Sequence, residues 1–364
     1  PLNATTTLPT RLLRVNLRTG ESSDVPLPIF PQILRHSKQT HQLILLGPPT
    51  DIRTHNAAMC IASLSLPSLQ YSLLVGQIEH SLDGFCGIYN PGVKSDPFSS
   101  DGRSLFVDSF RGDLRIVYQV DLLHPGVPTV CSSKGTCSEY LCERNGFPVM
   151  RTNHPEHPWR LTFRDHFISE KNVSLYSIPI SYHQFMAGEG HSILYWDPTV
   201  STPCSLLILI HGGPHNLFHV SFNGDVAYYT KHGFAVLVPN YRGSAGFGEH
   251  YLHALCGHMG DVELADVLSA IDHVMEGKEV KVDPERVFAM GSSYGGYIVM
   301  GLVIRSTVVK RAILRNPVLN PVTMATASDM ATWMRVLAGC VPSRGVGDGD
   351  GDGDGDGDGD GDGD

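Results

Sequence analysis

The sequence lacks long apolar runs and lacks an excess of positive charge. Its apolar runs, such as residues 206–210 and 234–238, have the length of a strand, and no window of about 18 apolar residues occurs, so we expect no transmembrane helix. The 27 Lys and Arg residues are outnumbered by 37 Asp and Glu residues and form no basic cluster that could neutralise a phosphate backbone. We therefore expect neither a membrane nor a nucleic acid among the partners.

The negative charge is also scarce outside one segment. The formal net charge is −10, but residues 347–364 are a strict Gly-Asp alternation that contains nine aspartates, so residues 1–346 carry a formal net charge of −1. A segment with only glycine and aspartate cannot build a core, so we expect 347–364 to be disordered. The body of the chain thus shows no acidic binding surface.

Cysteine is sparse, and the start of the given sequence has no leader pattern. The eight cysteines are scattered, and Cys131, Cys137 and Cys142 lack the paired spacing of a zinc site, so we interpret them as reduced thiols and expect no metal and no cofactor. No basic segment followed by an apolar stretch occurs at the start, which predicts no signal peptide. The chain begins at Pro1, and we expect the true N-terminus to lie upstream.

Residues 1–175 show short strands separated by turns and no helical periodicity. Strand patterns occur at 12–17, 104–108 and 113–122, and Gly-containing turns precede or follow them. This rhythm is typical of a β-sandwich or a β-propeller, with an irregular β domain as the alternative. Residues 131–158 are rich in Gly, Pro, Ser and Asn and are interpreted as a long loop.

Residues 176–346 show strands that alternate with helices, which is typical of a doubly wound, mostly parallel sheet. The predicted strands and helices are listed here: strands at 192–196, 205–210, 234–238, 286–290 and 312–314, and helices at 225–232, 262–275 and 294–305. Residues 205–210 are continuously apolar, as expected for a strand covered on both faces. We expect the folded hydrolase part to end after the strand at 312–314.

The segment Gly291-Ser-Ser-Tyr-Gly-Gly296 lies between a predicted strand and a predicted helix. It matches the G-x-S-x-G pattern of a nucleophile elbow, in which the positions two before and two after the nucleophile must be small. Gly291 and Gly295 hold those positions, so Ser293 and not Ser292 is the candidate nucleophile. The backbone N–H of Tyr294 would then point into an oxyanion hole. Gly296 completes the predicted elbow. The alternative is a chance glycine-rich turn.

The segment His211-Gly-Gly-Pro-His215 directly follows the strand 205–210. Hydrolases of this architecture take a second oxyanion donor from the loop after an early strand, and glycine lets the backbone approach a substrate carbonyl. We therefore predict that the backbone N–H of Gly213 is the second donor. His211 is interpreted as a residue that stabilises this loop.

Residues 240–248, with the sequence NYRGSAGFG, form a third glycine-rich segment after a strand. A dinucleotide site is the alternative interpretation, but the glycine order is G-x-x-G-x-G and no acidic residue follows a second strand at the expected distance. We interpret the segment as a loop that shapes the floor of the site.

Together, these three segments resemble the prolyl oligopeptidase family of serine peptidases, and the run Arg315-Asn-Pro-Val318 resembles its acylaminoacyl-peptidase branch. The resemblance implies an α/β-hydrolase domain preceded by a β-propeller, of which residues 1–175 would be the last blades. It also implies a cytoplasmic enzyme that releases N-acylated amino acids from short blocked peptides. The sequence leaves both a monomer and a homo-oligomer open.

The family pattern breaks after Ser293. A serine needs a base to accept its proton, and the triad order in α/β-hydrolases is Ser, then Asp or Glu, then His. None of the 18 histidines follows Ser293, and the acids that do are Asp329 and the Gly-Asp repeat. No triad Asp or His is found, so we expect a C-terminally truncated hydrolase that is nearly inactive as given.

Two interpretations of this break stay open. The chain is a truncated product or gene model, or it is a catalytically dead, hydrolase-like binding or scaffold protein. We favour truncation because the loss of sheet strands exposes a hydrophobic edge that a selected scaffold would cover. An upstream histidine at 211, 215 or 250 could replace the base, but the fold determines which loops reach the nucleophile.

Overall fold

The computed structural model describes residues 10–50, 58–80, 84–132, 137–163, 166–167, 179–328 and 330–340. The first part of the chain is built from small antiparallel sheets, and the second from one mixed six-stranded sheet flanked by helices. The boundary predicted between residues 175 and 176 and the Gly-Asp repeat 347–364 lie outside the described residues.

The N-terminal part contains thirteen strands among the described residues. Strands β1 to β13 span Leu12–Val15, Ser22–Val25, Ile33–Ser37, Gln42–Gly47, Cys60–Ser65, Tyr71–Val75, Ser104–Arg111, Leu114–Asp121, Thr129–Val130, Cys137–Arg144, Phe147–His154, His157–Phe163 and His166–Phe167. They form sheets of two, four, three and four strands, in each of which every strand pairs antiparallel with its neighbour in the chain. Successive small meanders of this kind are the blades of a β-propeller, so this part of the chain is a partial propeller.

The prediction of a long loop at residues 131–158 is wrong. Strands β10 and β11 and the first two residues of β12 lie in this segment. Asn145 and Gly146 have positive φ angles of 51° and 80°, which is the geometry of a two-residue hairpin turn. The turn residues that suggested a loop are therefore the short connections of a meander.

The second part of the chain is an α/β-hydrolase sheet. Strands β14 to β19 span Ser181–Ala187, Gly190–Trp196, Cys204–Ile210, Phe234–Asn240, Val282–Ser292 and Arg311–Arg315. Helices α1 to α6 span Gly224–Lys231, Glu249–His253, Val262–Met275, Tyr294–Arg305, Pro321–Ala327 and Ala331–Leu337. The strand order is β14-β15-β17-β16-β18-β19, with the last four strands parallel and the first two antiparallel to their neighbours. The prediction of a mostly parallel sheet with crossover helices is confirmed.

The two central strands are buried on both faces. In β16, five consecutive residues from Leu206 to Ile210 are at most 8% exposed, and β17 is buried from Ala235 to its end. Helices α3 and α4 cover one face with Leu264, Val267 and Ile298. The parallel strands therefore form a rigid core from whose carboxyl ends the loops of the site project.

The chain continues beyond β19, although we expected the hydrolase part to end with that strand. Helices α5 and α6 follow, and Trp333, Met334 and Leu337 of α6 are buried in the same core as β16 and β18. Proline at the first position of α5 and the side chain of Asn320, which accepts the N–H of Thr323, begin the first of these helices.

Within the described residues, no helix is long and apolar enough to cross a membrane.

Candidate active site

The carboxyl ends of four parallel strands converge on one edge of the sheet. Strand β16 leads into His211-Gly-Gly-Pro, β17 into Tyr241, β18 into Ser293 and β19 into Asn316. This edge is where open α/β sheets bind their ligands. The loops that the sequence singled out therefore lie together in the fold.

Ser293 forms a sharp turn between β18 and α4. Its backbone has a φ of 57° and a ψ of −122°, a strained conformation for a residue with a side chain. The Ser293 N–H donates to the carbonyl of Arg315 at 3.0 Å, and the Ser293 carbonyl accepts the N–H of Val318 at 3.2 Å. These bonds tie the turn to the end of β19, and the Ser293 residue remains exposed.

The glycines around Ser293 have no room for a side chain. A Cβ on Gly291 would overlap the carbonyl of Gly295, and a Cβ on Gly295 would overlap the carbonyls of Ile210 and His211. A Cβ on Gly296 would come within 2.7 Å of the Cβ of Pro317. The close approach of α4 to β16 and β19 thus requires glycine at these positions.

The loop after β16 lies directly against the serine turn. A Cβ on Gly212 would meet the carbonyl of Ser292 at 2.7 Å and the Cβ of Ser293 at 3.3 Å. Gly213 follows with a φ of 126°, a conformation that favours glycine. The structure therefore brings this glycine pair and Ser293 together, as an oxyanion loop requires.

His211 is part of the floor below this loop. Its Nδ1 lies 2.8 Å from the carbonyl of Gly212, its Nε2 lies 3.0 Å from Ser244 Oγ, and its ring stacks on Tyr241 at 4.5 Å between centroids. Complete burial lowers the pKa of His211 to about 4, so the imidazole is neutral near pH 7. A neutral imidazole carries one N–H, and donation of that N–H from Nδ1 to the Gly212 carbonyl holds the loop.

The two other upstream histidines have different surroundings. His215 Nδ1 lies 2.6 Å from the carbonyl of Gly243, and burial lowers the pKa of His215 to about 4. His250 is exposed at the start of α2 and packs against His80 with 5.0 Å between the ring centroids. In the part of the chain that the structure describes, the Ser293 side chain makes no hydrogen bond.

Glu263 is a buried residue behind the serine turn that the sequence analysis missed. The Tyr294 hydroxyl and the Gly260 N–H each donate to Glu263 Oε1 at 2.7 Å. Burial raises the pKa of Glu263, and burial beside this carboxyl raises the pKa of the Tyr294 hydroxyl. The only sequence signal was an acid at a core-facing position of the helix 262–275. The hydrogen bond to Glu263 holds the side chain of Tyr294, whose backbone N–H is the predicted oxyanion donor.

The segment 240–248 surrounds the loop after β16 from below. Arg242 forms an ion pair with the buried carboxylate of Asp266, with 2.7 Å between Nη2 and Oδ1, and its backbone N–H donates to Asp266 Oδ2 at 2.8 Å. Ser244 Oγ donates to the carbonyl of Tyr241 at 2.7 Å. These contacts hold Tyr241 under His211.

The sheet, the strained serine turn and the adjacent glycine loop define an α/β-hydrolase fold, which follows blades of a β-propeller. Residues 220–343 match the family described as the prolyl oligopeptidase family. This segment of the chain is therefore similar to a family of serine peptidases.

Curated relatives carry names of one kind, and a solved structure is similar in fold. The rice protein "Acylamino-acid-releasing enzyme 1" is 25% identical over 360 residues, which cover 86% of this chain and 46% of the relative. The human "Acylamino-acid-releasing enzyme" is 36% identical over 156 residues, or 41% of this chain and 21% of the relative. A solved acylaminoacyl peptidase in complex with Z-Gly-Gly-Phe-chloromethyl ketone is similar with a TM-score of 0.73 at 15% identity, over 88% of this chain and 50% of that one. The chain spans about half the length of the rice relative and of the solved structure.

Proposed function

We propose that this chain carries the nucleophile and the oxyanion donors of a serine peptidase that releases N-acylated amino acids from short peptides. One observation carries the proposal: Ser293 is exposed in the strained turn between β18 and α4, with Gly212 packed against it. The names of the rice and human relatives support the acylated substrate, and the peptide-like inhibitor of the solved relative supports a peptide.

In the proposed reaction, Ser293 Oγ attacks the carbonyl carbon that follows the N-acylated residue. The carbonyl oxygen becomes negatively charged in the tetrahedral intermediate, and the backbone N–H groups of Tyr294 and Gly213 donate hydrogen bonds to it. Collapse of the intermediate expels the amine of the shortened peptide, which takes up the proton lost from Ser293 Oγ, and leaves an acyl-enzyme. Water then hydrolyses this ester, which releases the N-acylated amino acid and restores the Ser293 hydroxyl. The glycine loop and the buried Tyr294 ring hold both donors in place before the substrate arrives.

We propose that this chain cannot efficiently remove the proton from the Ser293 hydroxyl. No histidine follows Ser293 in the sequence, and His211 and His215 are buried neutral groups that contact backbone carbonyls. Without a base the hydroxyl is a poor nucleophile, while the oxyanion donors alone give residual catalysis. We therefore propose that the 364-residue chain by itself is nearly inactive.

Chemical rescue tests this proposal. The purified chain is incubated with N-acetyl-alanine p-nitroanilide, with and without free imidazole as a diffusible base. We expect very slow release of nitroaniline without imidazole and a rate that rises with imidazole concentration. The Ser293→Ala variant should lose the imidazole-dependent rate, and the neighbouring Ser292→Ala variant should keep it. Alanine p-nitroanilide with a free amine should be a poor substrate.

Each other outcome has a defined meaning. Fast turnover without imidazole would show that a base within the chain serves Ser293. Binding of N-acetylated peptides with no Ser293-dependent turnover at any imidazole concentration would favour the alternative of a hydrolase-like binding or scaffold protein. An equal rate for the acylated and the free substrate would contradict the acyl specificity.

We also propose a cytoplasmic location. Seven cysteines of the described residues, all except Cys60, are free thiols, which suits a reducing compartment. The pKa of the buried Cys137 thiol is raised to about 12 by desolvation, which makes it unreactive. Cell fractionation with an antibody against the chain tests this proposal.

A further inference from the structure

Two histidines and one glutamate meet at a place remote from the candidate active site. His183 lies on β14, His273 in the last turn of α3, and Glu279 in the connection from α3 to β18. His183 Nε2 is 3.4 Å and His273 Nε2 is 3.9 Å from Glu279 Oε1. Among the described residues, this is the one group of three or more such side chains whose ligand atoms lie within 4.8 Å of one another.

An aromatic ring holds both imidazoles. Phe185 lies two residues after His183 on β14, and the two rings are nearly parallel with 5.9 Å between their centroids. The His273 ring stacks on Phe185 at 4.2 Å and 16°. Because Phe185 is only 8% exposed and belongs to the core, it gives both imidazoles a fixed support. Ligands that are held by packing bind a metal ion at a lower entropic cost.

One polar atom of the group is buried without a hydrogen bond. His273 Nε2 is buried and has no hydrogen-bond partner among the described residues. Its distance of 3.9 Å from Glu279 Oε1 is too long for a hydrogen bond. A buried donor or acceptor without a partner is costly, and a cation between the two atoms would satisfy both.

We propose that His183, His273 and Glu279 bind one zinc ion, with a water molecule as the fourth ligand. Zinc accepts imidazole nitrogen and carboxylate oxygen in a tetrahedron, with bonds of about 2.0–2.2 Å that place neighbouring ligand atoms roughly 3.3 Å apart. The separations of 3.4 and 3.9 Å are near that value. Calcium and magnesium prefer ligand sets of oxygen alone, so two imidazoles select against them.

The position of the group indicates a structural role for the ion. The carbonyl of Lys281, two residues after Glu279, accepts the N–H of Cys204 at 3.0 Å, which places this connection at the amino ends of the parallel strands. Ser293 lies at their carboxyl ends. The ion would therefore join the outermost strand β14 to α3 and the following connection, at the edge of the sheet opposite the nucleophile.

Zinc titration of the purified full chain tests the proposal. We expect one equivalent to bind by calorimetry and to raise the midpoint of thermal unfolding. The His273→Gln and Glu279→Gln variants should bind zinc at least tenfold more weakly and lose the thermal shift. The matched control is His232→Gln, an exposed histidine at the end of α1, and it should behave as the wild type.

Cobalt(II) binding to the unaltered chain gives a second readout that needs no variant. Tetrahedral coordination by nitrogen and oxygen should produce visible ligand-field absorption without the charge-transfer band of a thiolate. A thiolate band would assign the metal to the cysteines and overturn the proposal. Failure of one equivalent of zinc to bind, or binding that survives both cluster substitutions, would overturn it as well.

Discussion

At the scale of single residues, the serine turn depends on neighbouring glycines that have no side chain. Gly291, Gly295 and Gly296 are the points at which α4 touches β18, β16 and the segment after β19, and each would collide with backbone or Pro317 if it carried a Cβ. The sequence motif predicts small residues on both sides of Ser293. The structure shows which atoms lie against each glycine. The contact with Pro317 explains why residue 296 is also glycine.

Replacement of Gly295 by alanine should therefore disturb both stability and the site. The new methyl group would overlap the carbonyls of Ile210 and His211, and we expect the free energy of unfolding to fall by about 1–3 kcal/mol. Chemical denaturation followed by tryptophan fluorescence measures this change. The matched control is Gly126→Ala, because a Cβ on Gly126 would meet nothing within 4 Å. Equal effects of the two substitutions would contradict the packing argument.

Glu263 gives a second expectation at the residue scale. Burial raises the pKa of this carboxyl above its ordinary value of 4.5, so the folded state holds the proton more tightly than the unfolded state does. Its contribution to stability is complete below about pH 4.5 and is lost as the pH rises through the folded pKa. The unfolding free energy of the wild type relative to Glu263→Gln should fall over that range. A difference that stays constant with pH would contradict the raised pKa.

At the scale of elements, β19 is the least covered strand of the hydrolase sheet. Among the described strands it pairs only with β18, and its residue Ile313 is 60% exposed. Ile304 of helix α4, which packs against β19, is 74% exposed. An uncovered strand of this kind favours pairing between chains.

The Ile313→Lys variant should consequently remain monomeric to a higher concentration than the wild type. A lysine on an edge strand opposes the approach of a second strand by charge and hydration. Light scattering during concentration of the purified chain measures the effect. Leu17→Lys adds the same charge at a residue that is 95% exposed and far from β19 in the sequence, and it should leave the aggregation threshold unchanged. A similar gain from both variants would indicate a general charge effect.

Elements with a strong hydrophobic period were predictable from the sequence, and strands joined by short turns were not. The helices α3 and α4 have the predicted bounds because apolar residues recur at helical spacing and the neighbouring strands are apolar. The meander β10 to β12 was missed because its turn residues outweighed a weak alternation in the strands. The burial of Glu263 and the meeting of His183 with His273 depend on tertiary contacts, which sequence spacing does not contain.

At the scale of the whole molecule, Glu249 joins the partial propeller to the hydrolase part. This residue begins α2 and is 1% exposed, and its Oε1 accepts the N–H of Ala58 and the hydroxyl of Tyr89, each at 2.7 Å. The Gly112 N–H of the propeller part also donates to the carbonyl of Gly246 at 2.6 Å. The loop 240–248 below the candidate site is thus held from both sides.

Removal of the Glu249 side chain should weaken the coupling between the partial propeller and the hydrolase part. Glu249→Ala leaves a buried N–H and a buried hydroxyl without an acceptor, and we expect the free energy of unfolding to fall by about 3 kcal/mol. Tyr89→Phe should cost about 1–2 kcal/mol, and the double variant should show a coupling energy of about 1 kcal/mol. Equilibrium denaturation of the four proteins measures the cycle. Strictly additive effects would contradict the direct contact.

The central proposal is that Ser293 is the nucleophile and that this chain provides no base for it. The most direct measurement is the rate and site of labelling by a fluorophosphonate, followed by mass spectrometry of the intact chain and its peptides. We expect slow labelling at Ser293 alone, faster labelling when imidazole is added, and none in Ser293→Ala. Rapid labelling without imidazole, or a label on Ser292, would contradict the account.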